Sequence, residues 1–102
     1  MKPYHEHLIK ALKDPKEAAA YLNAALLEGD PGMFLVALRN VAEAGGGLAD
    51  LSRRTKLNRA NLYRAFSKSG NPEIKTLTHI LNLYGLRIAV AVKPPVPVRR
   101  AA

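Results

Sequence analysis

Residues 47–68 read Gly-Leu-Ala-Asp-Leu-Ser-Arg-Arg-Thr-Lys-Leu-Asn-Arg-Ala-Asn-Leu-Tyr-Arg-Ala-Phe-Ser-Lys, and this stretch decides the fold. Its pattern predicts two short helices joined by a tight turn, with Arg and Asn on the second helix. The stretch carries six Lys or Arg residues against one Asp. These features are the form of a helix-turn-helix, whose second helix enters the major groove of DNA.

The charge of the chain is divided unevenly between its two halves. Residues 1–50 hold five Lys or Arg and seven Asp or Glu, whereas residues 51–102 hold eleven Lys or Arg and one acid. The formal net charge of the 102-residue chain is +8. Neutralising phosphates supplies much of the affinity of a nucleic-acid binder, so this division favours a nucleic-acid partner over a basic surface kept for solubility.

Length and composition limit the class of protein further. A chain of 102 residues is expected to form one domain with a modest core. The absence of Cys excludes disulfides and thiolate metal sites, and it fits a reducing cytosol. The longest apolar runs fall far short of the ~18 residues of a membrane span, and the first residues lack the apolar core of an export signal. Abundant Ala and Leu predict a helical body.

Capping signals divide the body into about six helices. Two Asp-Pro pairs, Asp14-Pro15 and Asp30-Pro31, predict the starts of the second and third helices. Asn71-Pro72 predicts the start of the last helix in the same way. Gly85 follows that helix as a left-handed residue, which lets Leu86 pack back on it.

The end of the chain has a different pattern. Residues 86–93 alternate large apolar residues with small or charged ones, which predicts a β-strand. A single strand has no mate in this chain, so we expect it to pair with a second copy in a two-fold homodimer. The face used for this pairing is Leu86, Ile88, Val90 and Val92. The fold expected from the sequence is therefore all-α, with one C-terminal strand for dimer pairing.

The second helix of the motif has an apolar and a polar side. Leu62 and Phe66 anchor it to the core, and Asn58 precedes it as the N-cap. Arg bonds guanine bidentately, Asn pairs similarly with adenine, and Ala can touch a thymine methyl group. The predicted base-reading residues are Arg59, Ala60, Asn61, Tyr63 and Arg64. The residues predicted to contact DNA phosphates are Arg53, Arg54, Lys56, Ser67, Lys68 and Asn71.

Other candidate sites are weaker. In His5-Glu6-His7 the two imidazoles are two residues apart and point to different sides of a helix, so no metal site and no cofactor is expected. The run 45–47 of three glycines lacks the Lys-Ser/Thr of a phosphate loop and is interpreted as a joint. No constellation of catalytic residues can be defended from the sequence. The six aromatics are spread through the predicted core, which argues against an RNA-stacking platform.

The chain resembles a known family. Residues 48–84 look like the lambda-repressor-like, Xre-type helix-turn-helix. The longer series is similar to the addiction-module antidote proteins, a HigA-like antitoxin group. It consists of Asp14-Pro15, Ala18-Ala19-Ala20-Tyr21-Leu22, Asp30-Pro31, Leu57-Asn58-Arg59, Leu62-Tyr63-Arg64-Ala65-Phe66-Ser67 and Gly70-Asn71-Pro72. Two positions depart from the family pattern: Leu48 stands where many members carry a phosphate-contacting Gln, and Lys56 stands where they carry Gly.

The resemblance implies a cytoplasmic antitoxin of bacterial or phage origin that is not an enzyme. Such proteins repress their own operon as dimers on a palindromic double-stranded operator, and they neutralise a RelE/HigB-like toxin that cleaves mRNA. The expected organisation is N-terminal helices for core support and toxin contact in 1–45, the DNA-binding region in 46–85, the dimerisation strand in 86–93 and a disordered basic tail in 94–102. Two alternatives stay open: an Xre-type regulator without a toxin, and a protein-interaction antitoxin without DNA binding.

Overall fold

Six helices make up the body of the chain in a computed structural model that describes residues 3–94. The helices are α1 (Pro3–Ala11), α2 (Pro15–Leu27), α3 (Pro31–Ala44), α4 (Gly47–Thr55), α5 (Arg59–Ala65) and α6 (Ile74–Leu83). The all-α core matches the sequence prediction. Helix α3 is central, because α1, α2 and α4 all pack against it, while α4 also contacts α5 and α6.

Local capping chemistry sets the starts of α2 and α3 as the sequence predicts. The Asp14 carboxylate accepts a hydrogen bond from the backbone N–H of Lys16 at 3.0 Å, and Asp30 accepts from Gly32 at 2.9 Å. The predicted start at Asn71-Pro72 is wrong: residues 70–73 carry the chain onward from the end of α5, and α6 begins after Glu73 with no side-chain cap.

Helix α3 contributes more buried residues to the core than any other helix. Its Leu38, Val41 and Ala42 are at most 2% exposed, and they meet buried residues of the other helices. Gly32 lets α3 approach the turn after α5, since a Cβ atom there would stand 2.2 Å from the backbone oxygen of Lys68. The helix-turn-helix is therefore mounted directly on α3. The buried residues contributed by the remaining helices and the residues just past their ends are Leu12, Ala18, Leu22, Leu51, Leu62, Phe66, Ile80 and Leu81.

The predicted C-terminal strand is wrong for this chain. Residues 86–94 form no strand, and helices are the only regular secondary structure within the described range 3–94. Alternation defines two faces of a segment but supplies no ladder partner, and no other segment of the described chain offers one. Of the four residues predicted for the pairing face, Leu86 packs on the core, whereas Ile88, Val90 and Val92 are 45%, 96% and 95% exposed.

The turn that precedes this segment has the predicted form. Gly85 has φ +76°, and the N–H of Leu86 donates to the carbonyl of Leu81 at 2.9 Å. This closes α6 and places Leu86 against the core. Residues 95–102, which make up all but the first residue of the predicted tail 94–102, lie outside the described part of the chain.

Candidate nucleic-acid interface

The turn between α4 and α5 is held by short-range hydrogen bonds. The Ser52 hydroxyl donates to the carbonyl of Leu57 at 2.5 Å, and the Leu57 N–H donates to Oγ1 of Thr55 at 3.2 Å. Lys56 has φ +61°, a left-handed conformation that favours Gly over residues with a side chain. Asn58 then caps α5 as predicted, accepting from the N–H groups of Ala60 at 2.7 Å and Asn61 at 3.3 Å.

The orientation of α5 is fixed by two anchors. Leu62 and Phe66 are 1% and 0% exposed, and both belong to the main apolar cluster. Residues spaced by three and four share one side of a helix, so these anchors turn the opposite side outward. The structure leaves all five predicted base-reading residues exposed: Arg59, Ala60, Asn61, Tyr63 and Arg64.

The exposed side of α5 is flanked by two clefts. Arg59 and Tyr63 face one cleft, which α3 and the start of α4 complete. Asn61 and Arg64 face the other, together with Ser67 and Asn71 of the following loop. The Arg64 guanidinium donates to Oδ1 of Asn61, so these two polar groups restrain each other one turn apart. The polar face of α5 is thus bordered by α3 and α4 on one edge and by the loop after α5 on the other.

The residues predicted to contact phosphates differ in the ion pairs and hydrogen bonds that they make within the protein. Arg53 and Arg54 both pair with Asp50, and Arg54 also donates to the carbonyl of Leu83 at 3.5 Å. Arg54 therefore ties α4 to the end of α6. The Ser67 hydroxyl donates to the carbonyl of Arg64 at 2.7 Å, which closes the end of α5. The remaining three phosphate candidates are exposed: Lys56, Lys68 and Asn71.

Sequence analysis did not single out Arg39. Its guanidinium carbon lies 5.2 Å from the centroid of the Tyr63 ring, a cation–π geometry that joins α3 to α5. Arg39 is the single basic residue of α3, whose neighbours Leu38 and Val41 are buried. A lone cation on a core helix is the signal that could have marked it. Its position beside Tyr63 depends on the tertiary packing of two helices.

Tyr84 lies behind the motif, where α6 meets α4. Burial raises the pKa of Tyr84 to about 12, and the nearby Asp50 carboxylate raises it while the Arg54 guanidinium lowers it. The buried hydroxyl has no hydrogen-bond partner among residues 3–94. The ring packs close to Gly45, where an added Cβ would stand 2.5 Å from a ring carbon. This contact fixes the joint between α3 and α4.

The predicted absence of a metal site concerned His5-Glu6-His7. The structure places Nε2 of His5 2.9 Å from Oε2 of Glu43, so this imidazole links α1 to α3. Within residues 3–94, no cluster of three or more His, Cys, Asp or Glu side chains has a metal-binding arrangement. No helix in the same range is long and apolar enough to cross a membrane.

Comparison with known proteins places the chain among antitoxins. Residues 5–92 match the model of a family described as "probable addiction module antidote protein". The chain belongs to this family. Membership indicates an antitoxin role and a toxin as partner, and it favours a binding protein over an enzyme. This match identifies the antidote family and does not distinguish HigA-like or Xre-type members within it.

A relative matches most of the length of the chain. An uncharacterized protein of Haemophilus influenzae is 30% identical over 79 residues, which cover 78% of this chain and 80% of that protein. No solved structure matches the chain. The polar face of α5 is therefore interpreted from its own geometry.

Proposed function

We propose that this chain is a sequence-specific DNA-binding antitoxin of a type II toxin–antitoxin module. It represses its own operon in the bacterial cytoplasm and neutralises a RelE/HigB-like, mRNA-cleaving toxin. The observation that carries the DNA-binding part is the exposed polar face of α5, held by two buried anchors, a capped start and a bonded turn. This arrangement has the rigidity that base reading requires, because the side chains must reach fixed positions in the groove.

Each residue of this face has a chemical role in the proposal. Arg59, at the N-terminal end of α5, reaches guanine O6 and N7, while Asn61 bonds adenine. Ala60 contacts a thymine methyl group between them. Tyr63 and Arg64 extend the face toward the end of the helix. Around it, Arg53, Lys56 and Lys68 contact phosphates and fix the register of the protein on the duplex.

A pair of variants tests this assignment on DNA that the wild-type chain selects from a random-sequence pool. Arg59→Ala should weaken binding to the selected duplex by roughly 1–3 kcal/mol and relax preference at one position. Arg53→Ala should weaken selected and random duplexes alike, since phosphates carry no sequence information. Fluorescence anisotropy measures both. Equal losses on the two duplexes for Arg59→Ala would show that Arg59 contacts backbone only.

For the toxin we propose a surface on the acidic N-terminal helices. Leu26 and Leu27, at the end of α2, are 54% and 85% exposed, and the exposed Glu28 and Asp30 stand beside them. An apolar patch rimmed by carboxylates complements a basic RNA-cleaving protein. Removing 1–29 would be a poor test of this surface, because the same segment supplies buried Leu12 and Leu22 to the core.

A single surface change tests the toxin site without disturbing the core. Leu27→Arg should lower the affinity for the product of the neighbouring toxin gene and reduce neutralisation in co-expression growth assays. Asn82→Arg, which places the same charge at an exposed position of α6, is the matched control. Full neutralisation by Leu27→Arg would move the toxin surface elsewhere. If no neighbouring protein binds, the chain is a regulator without a toxin.

We also propose that the chain acts as a homodimer on a palindromic operator. The side chains of Ile88, Val90 and Val92 are exposed on the segment that follows α6, and a second copy would remove them from water. Sedimentation at about 50 μM should show a dimer for the wild type. Val90→Asp should shift it to monomer, whereas Thr78→Asp on α6 should leave it unchanged. A monomeric wild type would exclude this dimer.

A further inference from the structure

The cleft between α3 and the helix-turn-helix has a composition that base reading by α5 does not explain. Its volume is about 280 Å³. It borders the polar face of α5 on the side of Arg59 and Tyr63. The residues that line it are Arg39, Glu43, Gly47, Leu48, Ala49, Arg59 and Tyr63. Two arginines from different helices therefore line one cleft, together with Leu48 and Ala49 of α4.

The Arg39 guanidinium is positioned before any ligand arrives. It lies over the Tyr63 ring with its carbon 5.2 Å from the ring centroid. This contact restrains a long, exposed side chain that would otherwise sample many rotamers, so less conformational entropy is lost when it binds an anion. Tyr63 belongs to α5, so the restraint also ties Arg39 to the edge of the base-reading face.

The positive charge of the cleft is not neutralised within residues 3–94. Neither Arg39 nor Arg59 has a carboxylate within ion-pair distance in this part of the chain. Glu43 is the one acidic residue that lines the cleft. Its Oε2 lies 2.9 Å from Nε2 of His5, which engages this carboxylate on the side of α1. Two unpaired guanidiniums in a shared cleft favour an anionic ligand.

We propose that this cleft binds a phosphate of the DNA backbone through Arg39, while the neighbouring Arg59 reads a base in the groove. The inference rests on the proposed DNA binding and adds a residue of α3 to it. Arg39 lies at the flank of α5, so it meets the strand that borders the groove and not the base edges within it. Its guanidinium can donate two parallel hydrogen bonds to one phosphate, because no carboxylate within residues 3–94 pairs with it.

The test uses the full chain and a labelled random-sequence duplex, because binding to random DNA reports phosphate contacts alone. Arg39→Ala should weaken this binding roughly tenfold at low salt and reduce the slope of log K against log salt by about 0.9. Lys16→Ala, which removes another exposed cation at the start of α2, is the matched control and should leave the slope unchanged. Arg39→Gln repeats the measurement if Arg39→Ala lowers the melting temperature.

Two further variants examine the surroundings of Arg39. Glu43→Gln removes the one acid of the cleft and should tighten binding to the random duplex about twofold. Tyr63→Leu should weaken it, and this loss should vanish when Arg39 is already Ala, because the ring then has no guanidinium to position. Independent, additive losses for Tyr63→Leu and Arg39→Ala would contradict the positioning of Arg39 by the ring.

The outcomes separate this inference from the function on which it rests. If the wild type shows no salt-dependent binding and Arg53→Ala has no effect, the proposed DNA binding fails as a whole. If the wild type binds and Arg53→Ala weakens it, but Arg39→Ala behaves like Lys16→Ala, the phosphate site in the cleft is refuted while DNA binding stands.

Discussion

Helices α3 and α5 differ in how many of their residues are buried. Helix α3 buries seven of its fourteen residues, and five of them belong to the main apolar cluster. Helix α5 buries only Leu62, with Phe66 just beyond its end, and leaves one whole side exposed. Packing therefore dictates most of α3, whereas two anchors and a cap are enough to hold α5. This division leaves the exposed residues of α5 available for function. Helix α3 contributes one cation, Arg39, from its exposed side.

The largest expected effect comes from removing an anchor of α5. Phe66→Ala should lower the free energy of unfolding by about 3–5 kcal/mol, because it deletes a fully buried ring from a packed core. Tyr63→Ala, on the exposed side of the same helix, is the matched control and should change it by far less. Urea unfolding followed by circular dichroism measures both. Similar losses for the two variants would contradict the division of α5 into anchors and an exposed face.

The N-cap of α5 should have a smaller effect. Asn58→Ala removes an acceptor for two backbone N–H groups and should cost about 1 kcal/mol of stability. Asn58→Asp keeps the acceptor and should retain most of that stability, although its charge opposes DNA. Thermal melting separates these cases. If Asn58→Ala melts like the wild type, the cap does not stabilise α5.

Lys56 offers a change that should separate folding from binding. Lys56→Gly relieves the left-handed backbone strain and should raise stability by up to about 1 kcal/mol. The same change removes a predicted phosphate contact, so binding to a random duplex should weaken. For this one variant we therefore expect unfolding measurements to show a higher stability and anisotropy measurements to show a weaker affinity for the duplex. A loss of stability would show that the turn needs the lysine side chain.

Tyr84 gives an effect that appears only at high pH and is absent under ordinary conditions. The neutral phenol is favoured in the folded state, so the unfolded chain releases its proton first and stability should fall as pH rises from about 10 toward about 12. Below pH 10 this contribution is fully present. Tyr84→Phe should lose less stability over that window and should be at least as stable at neutral pH, because it removes an unpartnered buried hydroxyl. Identical pH profiles for the two proteins would refute the raised pKa.

The features that sequence predicted best are those set by neighbouring residues. Asp14, Asp30 and Asn58 cap the helices that follow them, because a short side chain meets N–H groups two or three residues away. The spacing of Leu62 and Phe66 predicted which side of α5 is buried. The polar face opposite follows from the same periodicity.

The features that sequence missed depend on distant parts of the chain. The approach of Arg39 to Tyr63 requires α3 and α5 to be packed, and no local pattern encodes it. The strand expected over residues 86–93 needed a ladder partner that periodicity cannot supply. The helix start predicted at Asn71-Pro72 was wrong because the loop after α5 continues through these residues, and α6 begins two residues later at Ile74.

Protection of guanine N7 from methylation tests most directly whether the exposed face of α5 reads DNA. The duplex is one that the wild-type chain selects from a random pool, and the wild type should protect specific guanines within it. Arg59→Ala should lose protection at one guanine of each half-site and keep the others. An unchanged pattern of protected guanines in Arg59→Ala, or no protected guanine with the wild type, would contradict base reading by this face.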